Sequence, residues 1–404
     1  MINIGLLGLG TVGKGVVEIL NKRQKELEDL TGRKVRVKKI LVKNVDKDRG
    51  MDLEEGVITG DFEEILNDKD ISIIVEVTSD LEESYTYIKK SLSAGKHVVT
   101  ANKAVVSKYF EELSQLAADK DLAFLYEASV GGGIPVLKPL KEELALNKGI
   151  MIQGILNGTC NYILTRMVNE GKDYEEILKI AQDLGYAEAD PTADVEGEDT
   201  LRKLRILATL VLQGRITEED ILSYGISSIT SWDIENIKNM DSTIKLIGEA
   251  RLTDEGYIAL VHPTIIRNDS QFANVDMVFN SIIFRGENVG ELKFYGPGAG
   301  KLPTANAVLR DVLDIINDSY WKGNPLGTNK LKNANHTFRS RYYIRISGSD
   351  KEVLELFQDA LDDIISEEGN IAITTKEVLY KEILDRIQSL GIDRDQYFIA
   401  RIMD

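Results

Sequence analysis

Two charged residues, Asp199 and Lys203, are four positions apart at the end of an acidic stretch. The stretch covers residues 185–199 and reads GYAEADPTADVEGED, and apolar residues such as Leu204 and Leu207 then recur at helical spacing. Side chains four apart on a helix share a face, so one rigid surface would carry a carboxylate and an amine. Such a pair can bind a polar substrate and transfer a proton, but a solvated ion pair beside an acidic loop has the same pattern.

The overall composition argues against several classes of partner. Lys plus Arg total 49 and Asp plus Glu total 66, a net charge of −17. Nucleic acids and anionic membranes bind basic faces, so we expect neither as a partner. The single cysteine, Cys160, allows no intrachain disulfide and suits a reducing cytoplasm, which is the predicted location. We expect no leader before the first strand and no bilayer span, because no apolar run is long enough.

A glycine-rich turn follows the first predicted strand, residues 2–7. It reads Gly8-Leu9-Gly10-Thr11-Val12-Gly13, and helical periodicity covers residues 12–30. Between a strand and a helix this pattern is typical of dinucleotide binding. The first glycine permits the tight turn, the second lets the backbone approach the pyrophosphate, and the third lets helix and strand pack closely. The helix N-terminus would face the anion. The alternative is a glycine-rich turn that binds no ligand.

The end of the second predicted strand, residues 35–42, bears on the choice of cofactor. An NAD-selective site places Asp or Glu there, to bind the ribose hydroxyls. This chain instead has Lys43 and Asn44, with Lys47 and Arg49 beyond. The absence of an acid and the presence of a cation favour NADP, because its 2′-phosphate needs positive charge. NAD stays possible, since Lys43 is equally compatible with a solvated surface lysine.

Further strands and helices alternate through the first third of the chain. Strands are predicted over 71–77, 97–99 and 122–126, and helices over 61–66 and 82–94 and from Thr100-Ala101-Asn102-Lys103 to about residue 119. This alternation predicts an α/β fold, a doubly wound Rossmann-type sheet of parallel strands. Ligands of such sheets lie beyond the carboxyl ends of the strands, so Lys103 is a candidate for the active cleft.

The pattern changes after the triple glycine at 131–133. A strand at 150–156, two helices and strands of antiparallel character predict an α+β substrate and dimerisation domain. Beyond a polar linker, residues 321–335, the order β-α-β-α-β predicts a small third domain, with its first helix over 352–365. The predicted domains are 1–133, 134–300 and 337–404, with the helix of 301–320 packing back on the first.

Six motifs together resemble those of the homoserine dehydrogenase family, over most of the chain to about residue 316. They are GLGTVG (8–13), TANKA (100–104), EASVGGGIP (127–135), ILNGT (155–159), the acidic stretch 185–199 and GPGAG (296–300). The resemblance implies an oxidoreductase that reversibly reduces L-aspartate 4-semialdehyde to L-homoserine with NADPH or NADH. That reaction belongs to the biosynthesis of threonine, methionine and isoleucine.

The resemblance also implies roles for individual residues. Lys203 matches the proton donor, and Lys103 matches a lysine that contacts both nicotinamide and substrate. Glu188 and Asp199 match positions that bind the amino end of homoserine. From the glycine turn, the strand ends and the resemblance together, cofactor contacts are expected at Gly8, Leu9, Gly10, Thr11, Val12, Gly13, Lys43, Thr78, Ser79, Thr100, Lys103, Gly185 and Gly300. The resemblance implies a sodium site formed by Glu127 and the carbonyl groups of Val130, Gly132 and Ile134.

The chain departs from the family pattern at two places. Ser79-Asp80 stands where the family usually has two glycines, and an added carboxylate there is expected to weaken or shift the bound cofactor. Ala193 stands where some members have a second Asp, so it is given no role. The three histidines fall outside the motifs, which leaves lysine as the available acid.

Two other classes of function are compatible with parts of the sequence. A cysteine-dependent semialdehyde dehydrogenase would use Cys160 as its nucleophile, but no basic partner for the thiol lies nearby in the sequence. A non-catalytic NADP-binding sensor would not need Glu188, Asp199 and Lys203 together. Turnover of aspartate semialdehyde with NADPH separates the three.

The third domain resembles a shortened ACT domain, the module that senses amino acids in many relatives. The usual Pro-Gly turn after its first strand is missing from the stretch 347–354, SGSDKEVL, which is one residue shorter than the usual pattern. We therefore expect this domain to fold but not to bind threonine. A homodimer built through the substrate domain is also expected, because the edge of an antiparallel sheet needs a partner or a cover.

Overall fold

The computed structural model describes residues 1–324, 326, 329–347, 350–367 and 370–403. The strands among these residues are β1 (Ile2–Leu7), β2 (Val35–Leu41), β3 (Ile58–Thr59), β4 (Ile71–Glu76), β5 (His97–Thr100), β6 (Phe124–Leu125), β7 (Gly149–Ile155), β8 (Leu222–Ser223), β9 (Ser242–Thr253), β10 (Gly256–Arg267), β11 (Phe279–Gly286), β12 (Gly290–Pro297), β13 (Arg339–Ile346), β14 (Leu361–Glu367), β15 (Asn370–Thr375), β16 (Val378–Leu379) and β17 (Tyr397–Met403).

The α-helices in the same part of the chain are α1 (Thr11–Lys22), α2 (Gln24–Thr31), α3 (Phe62–Leu66), α4 (Leu81–Ser93), α5 (Lys103–Asp119), α6 (Leu137–Leu144), α7 (Gly158–Glu170), α8 (Tyr174–Asp183), α9 (Thr192–Val195), α10 (Glu198–Leu212), α11 (Ser231–Asn239), α12 (Lys301–Ile316), α13 (Asp350–Phe357) and α14 (Tyr380–Ser389). Within the described residues, no helix combines the length and the apolar character that a membrane span requires.

The chain forms two compact units, each assembled from three segments. The first contains Met1–Gly149, Arg205–Glu218 and Arg285–Lys330. The second contains Ile150–Leu204, Glu219–Phe284 and Leu331–Asp404. The chain therefore returns to each unit twice after first leaving it.

The first unit contains a six-stranded sheet in the order β3-β2-β1-β4-β5-β6, and all neighbouring strands are parallel. β1 is buried along its whole length, because helices cover both faces of a parallel sheet. The strand order reverses between β1 and β4, and ligands of doubly wound sheets bind beyond the carboxyl ends at that point. The prediction of a parallel Rossmann-type sheet is confirmed.

α12 packs against α1 in the first unit, through side chains such as Ala305 and Val308 in its core. The two helices approach closely at Gly15. A Cβ added there would lie 2.7 Å from the Lys301 carbonyl oxygen and 2.8 Å from the Ala305 Cβ. Glycine is therefore required at this crossing, and the returning helix completes the core around β1.

The second unit contains a mostly antiparallel sheet in the order β11-β7-β9-β10-β17-β13-β15-β14. β9 and β10 form its longest hairpin, paired from Ser242 opposite Arg267 to Thr253 opposite Gly256. The last strand of the chain, β17, pairs in parallel with β10 and antiparallel with β13. The C-terminal segment, which the sequence pattern marks as a separate module, therefore shares one continuous sheet with the middle of the chain.

Among the described residues, the C-terminal segment contains two more strands than predicted, β14 and the two-residue β16. The helix expected over 352–365 ends at Phe357, and the expectation for the rest of that range was wrong because β14 follows. β14 pairs antiparallel with β15, with Ile364 opposite Ile373, and this pairing overrides the local helical pattern. Gly348 and Ser349, on which the threonine prediction depends, lie outside the described residues.

Other differences in the fold are local. The single helix expected over 12–30 is divided at Arg23, where φ is −110° and ψ is 20°. β3, α6 and α11 were not predicted. β3 has only two residues and pairs with β2, so its position is decided by the sheet rather than by its own sequence.

Candidate active site

The glycine turn opens a cavity of about 790 Å³ in the first unit. Gly8 has φ +101°, a left-handed conformation that favours glycine. Gly10 is the N-cap of α1, and no side chain caps the first amides of this helix. Unsatisfied amides and the positive end of a helix dipole suit a pyrophosphate. The cavity is also lined by Leu9, Thr11, Val12, Lys43, Thr78 and Ser79.

Gly10 and Gly13 have different tasks, and two substitutions should separate them. A Cβ at Gly13 would lie 2.2 Å from the Gly8 carbonyl oxygen, whereas a Cβ at Gly10 meets no atom within 4 Å. We expect Gly13→Ala to destabilise the free protein by about 1–3 kcal/mol through overpacking. Gly10→Ala should leave the melting temperature unchanged and weaken NADPH binding at least about tenfold, because the methyl group would fill the space of the pyrophosphate.

Thermal unfolding and fluorescence titration with NADPH measure both effects. If Gly10→Ala binds NADPH as tightly as the wild type, the cofactor does not approach this turn.

A buried carboxylate, Glu76, orients two of the expected cofactor contacts. Its side chain accepts hydrogen bonds from the Thr78 amide and hydroxyl, at 2.7 and 2.6 Å, and from the Thr100 hydroxyl at 2.6 Å. The Ser84 hydroxyl donates at 3.0 Å. Burial raises the pKa of Glu76, and the hydroxyl donors oppose this effect. Glu76 was not predicted as a site residue, although its place at the end of β4 could have indicated it.

The unusual Ser79-Asp80 pair starts α4. The Asp80 side chain accepts the Glu83 backbone N–H at 2.8 Å and so caps the helix. A carboxylate at a helix N-terminus is stabilised by the helix dipole. This capping accounts for the Asp, although it does not test the expected effect on the cofactor.

Two predicted cofactor contacts, Lys103 and Gly300, lie at the starts of helices α5 and α12. Lys103 is the first residue of α5, just beyond the carboxyl end of β5, and is half-buried. Gly300 precedes α12 with φ +126°. Neither lines the cavity that Gly8 opens.

Lys43 is highly exposed and forms an ion pair. Its Nζ lies 2.8 Å from Glu83 Oε2, and the pKa of Lys43 is raised chiefly by this hydrogen bond. Lys47 and Arg49 line the same cavity. The cation expected at the end of β2 is therefore present, but a carboxylate accompanies it.

The turn of 127–135 is held by the side chain of Glu127. Its carboxylate accepts the backbone N–H groups of Val136, Leu137 and Lys138, at 2.6, 2.8 and 2.9 Å, and so caps α6. Three backbone N–H groups therefore compete with a cation for this carboxylate. Within the described residues, no group of three or more His, Cys, Asp and Glu side chains is arranged to hold a metal ion.

Lys203 and Asp199 are brought together in the second unit, as their spacing predicts. Lys203 Nζ lies 2.8 Å from Asp199 Oδ2 and donates to the Leu156 carbonyl at 2.7 Å. Asp199 is 2 % exposed and Lys203 9 %. A solvated surface ion pair is thereby excluded, because both side chains have lost their water. The buried side chain of Asn280 donates to the same Leu156 carbonyl at 2.9 Å.

Asn157 joins two carboxylates beside this lysine. Its Nδ2 donates to Asp199 Oδ2 at 2.8 Å and to Asp194 Oδ1 at 2.7 Å. Its Oδ1 accepts the Cys160 N–H at 2.7 Å, which caps α7. No role was predicted for Asn157, Asp194 or Asn280. Asn157 could have been predicted as a helix cap, because it precedes Gly158 at a predicted helix start. No local sequence pattern indicates Asn280.

Gly185 and Glu188 lie on the exposed loop that follows α8. Gly185 has φ +76°, and the Glu188 carbonyl accepts a hydrogen bond from Gln182. Their side of the loop is open to solvent, in contrast to the buried Asp199. The described hydrogen bonds do not join Glu188 to the lysine network.

Cys160 is unsuited to act as a nucleophile. It is fully buried, and its Sγ donates to the Asp194 carbonyl at 3.1 Å. Burial raises the pKa of the Cys160 thiol, and neighbouring carboxylates add to this effect. A thiolate is therefore disfavoured here.

Burial lowers the pKa of His262 to about 3, and its ring stacks on Tyr224.

A Rossmann sheet with a glycine turn, together with a buried lysine–carboxylate pair, defines an NAD(P)-dependent oxidoreductase. The family model for the NAD-binding domain of homoserine dehydrogenase matches residues 8–127, and the homoserine dehydrogenase model matches residues 135–313. The chain belongs to the homoserine dehydrogenase family, enzymes that oxidise or form a CH–OH group.

Individual relatives agree with the family models. The homoserine dehydrogenase of Synechocystis is 45 % identical over 319 residues, which are 78 % of this chain and 73 % of that protein. A homoserine dehydrogenase structure from Thiobacillus denitrificans has a TM-score of 0.90 at 34 % identity, covering 100 % of this chain and 98 % of that one. A hyperthermophilic archaeal homoserine dehydrogenase solved with NADPH has a TM-score of 0.68 at 25 % identity, covering 78 % of this chain and 98 % of that one.

Proposed function

We propose that this chain reduces L-aspartate 4-semialdehyde to L-homoserine, reversibly, and that Lys203 is the general acid. The observation that carries the proposal is the buried Lys203 ammonium, held by Asp199 and the Leu156 carbonyl at 2.8 and 2.7 Å. Two acceptors fix the position of the ammonium, and a positioned acid accelerates proton transfer.

The proton from Lys203 would go to the aldehyde oxygen as the carbonyl carbon is reduced. The charge of the ammonium would also stabilise the alkoxide that develops on that oxygen. In the reverse direction the neutral amine would take the proton from the homoserine hydroxyl. Asn157 supports this role because it holds the carboxylate of Asp199 from the other side.

NADPH bound in the first unit would supply the hydride. The residues fit a dinucleotide: Gly10 leaves room for a close approach, and the first turn of α1 lacks a side-chain cap. Thr78 and Ser79 line the same cavity, and Thr100 and Lys103 lie at the neighbouring strand end. The NADPH complex of the archaeal relative supports NADP as the cofactor, with NAD as the alternative.

The amino end of the substrate would be bound by carboxylates of the second unit, Glu188 and Asp199. Asp194 is a further candidate, since Asn157 connects it to Asp199. Carboxylates form strong hydrogen bonds with an ammonium group, and the negative net charge of the chain does not repel such a cation. We also propose that Lys103 contacts both the substrate and the nicotinamide, as the family resemblance implies.

We also propose a sodium site in the turn of 127–135. Gly131 and Gly132 have φ +72° and +57°, so the turn departs from extended backbone. Within the described residues, the carbonyl oxygens of Val130, Gly132 and Ile134 accept no hydrogen bond. Backbone carbonyls suit a hard cation, and the Glu127 carbonyl would complete the set.

The activity is tested by following NADPH oxidation in the presence of L-aspartate 4-semialdehyde. We expect one homoserine formed for each NADPH consumed, and the reverse reaction with homoserine and NADP. Omission of the semialdehyde is the control. If NADPH binds but no homoserine forms, the chain is a sensor and the proposal is wrong.

We also propose three domains with the boundaries predicted from the sequence: a nucleotide domain over 1–133, a substrate domain over 134–300 and an ACT-like domain over 337–404. Apart from the two-residue β16, the order of β13, α13, β14, β15, α14 and β17 is βαββαβ, which supports the last of these. A homodimer through the substrate domain is proposed with them, and light scattering would decide it. The single buried cysteine is compatible with the predicted cytoplasmic location.

A further inference from the structure

The cofactor cavity contains a carboxylate directly beside the cation that the sequence predicts at the end of β2. β2 ends at Leu41 without an acid, and Lys43 follows. However, Glu83 of α4 lines the same cavity, and its Oε2 is 2.8 Å from Lys43 Nζ. The charge that would attract a 2′-phosphate is therefore opposed by a carboxylate from a different strand–helix connection.

The position of Glu83 is fixed by its helix. Asp80 caps α4 by accepting the Glu83 backbone N–H at 2.8 Å. Tyr87, one turn later, lines the same cavity. The adjacent Glu82 has other partners, Lys108 at 3.0 Å and Tyr109 at 3.1 Å, and does not line the cavity. Of the two adjacent glutamates, Glu83 alone is directed towards the cofactor cavity.

The chemistry of Glu83 differs for the two cofactors. A 2′-phosphate beside Lys43 would carry up to two negative charges close to the Glu83 carboxylate, which is unfavourable. Unmodified ribose hydroxyls would instead donate hydrogen bonds to that carboxylate, as they do to the acid at the end of β2 in NAD-selective enzymes. Lys47 and Arg49 also line the cavity, so cations remain to bind a phosphate, and Asp48 adds a second carboxylate to the lining.

We propose that Glu83 sets the balance between NADP and NAD in this chain, by supplying from α4 the carboxylate that β2 lacks. The proposal rests on the dinucleotide site of the proposed function. It makes the preference for NADP weaker than Lys43 alone would produce, because specificity is the difference between two affinities. Glu83 acts on the ribose end of the cofactor and takes no part in proton transfer.

The experiment compares Glu83→Gln with Glu82→Gln, which removes an equal charge from the adjacent residue. Dissociation constants for NADPH and NADH are measured by fluorescence titration, and kcat/KM is measured for both with the semialdehyde. In Glu83→Gln we expect NADPH to bind more tightly, NADH more weakly, and the ratio of their affinities to rise about tenfold. In Glu82→Gln the ratio should stay within about twofold of the wild type.

A ratio that does not change in Glu83→Gln, or that changes equally in both variants, overturns the proposal. Melting temperatures show whether either variant is misfolded. Glu83→Asp provides a second test, because its shorter side chain keeps the negative charge but moves it away from the cofactor. That variant should show a smaller rise in the ratio than Glu83→Gln. The titrations need no turnover, so a change in ratio would stand even if the semialdehyde were not reduced.

Discussion

Replacing Lys203 with methionine is expected to lower turnover at least about a hundredfold, the lower end of the usual contribution of a general acid. Methionine is of similar length but has no proton to give and no charge to place beside the developing alkoxide. NADPH binding should be unchanged, because Lys203 does not line the cavity that the glycine turn opens. Steady-state assays with the semialdehyde and a fluorescence titration with NADPH measure the two quantities.

Arg202→Met is the matched control for this experiment. Arg202 is the preceding residue of α10, and its Nη2 forms an i,i+4 ion pair with Glu198 at 3.1 Å, at a more exposed position. Its loss should change turnover by no more than about twofold, as is usual for surface ion pairs. Near-normal turnover in Lys203→Met would refute the assignment, and Lys103 would then become the candidate acid.

Replacing Arg345 with methionine is expected to destabilise the second unit by about 3–5 kcal/mol. Arg345 Nε lies 3.0 Å from both oxygens of Asp233, whose side chain is fully buried. The Asp233 carboxylate also accepts from Tyr343 Oη at 2.9 Å and from the Thr230 amide at 2.8 Å, where it closes the capping box of α11. Methionine would fill much of the space but leave that carboxylate buried without its cation.

Urea denaturation, followed by far-ultraviolet circular dichroism, measures this loss. Arg341→Met is the control, because Arg341 lies on the same strand, β13, and pairs with Asp362 at 3.0 Å. Both of those side chains are about 40 % exposed, so its replacement should cost less than about 1 kcal/mol. Equal losses in the two variants would show that burial of the Arg345–Asp233 pair contributes nothing special.

The position of Arg345 also connects stability with the organisation of the chain. Its strand, β13, pairs with β17, and β17 pairs with β10 in the middle of the sheet. Arg345 thereby ties the C-terminal segment to α11, and its Nη2 donates to the Ser228 carbonyl at 2.6 Å. We expect the unfolding of the C-terminal segment to be coupled to that of the rest of the unit.

The sequence by itself determined the elements whose signals are local. The turn of Gly8 to Gly13, the helix that begins at Lys103 and the parallel sheet could be predicted, because left-handed glycines, caps and apolar periodicity act over a few residues. The Asp199–Lys203 pair could be predicted for the same reason, since positions four apart meet on any helix. The resemblance to a family then supplied the reaction.

Only the tertiary structure decided what these local elements contact. Asn280 and Lys203 share the Leu156 carbonyl although 124 and 47 residues separate them from it, and no spacing rule connects such positions. Residues 361–367 form a strand because β15 offers hydrogen-bond partners, which a helical pattern cannot reveal. In the sequence, Lys43 favours NADP. In the folded chain, however, Glu83 Oε2 of α4 lies 2.8 Å from Lys43 Nζ and partly neutralises the positive charge that a 2′-phosphate needs. Electrostatic partners depend on distance in space, and the fold alone sets those distances.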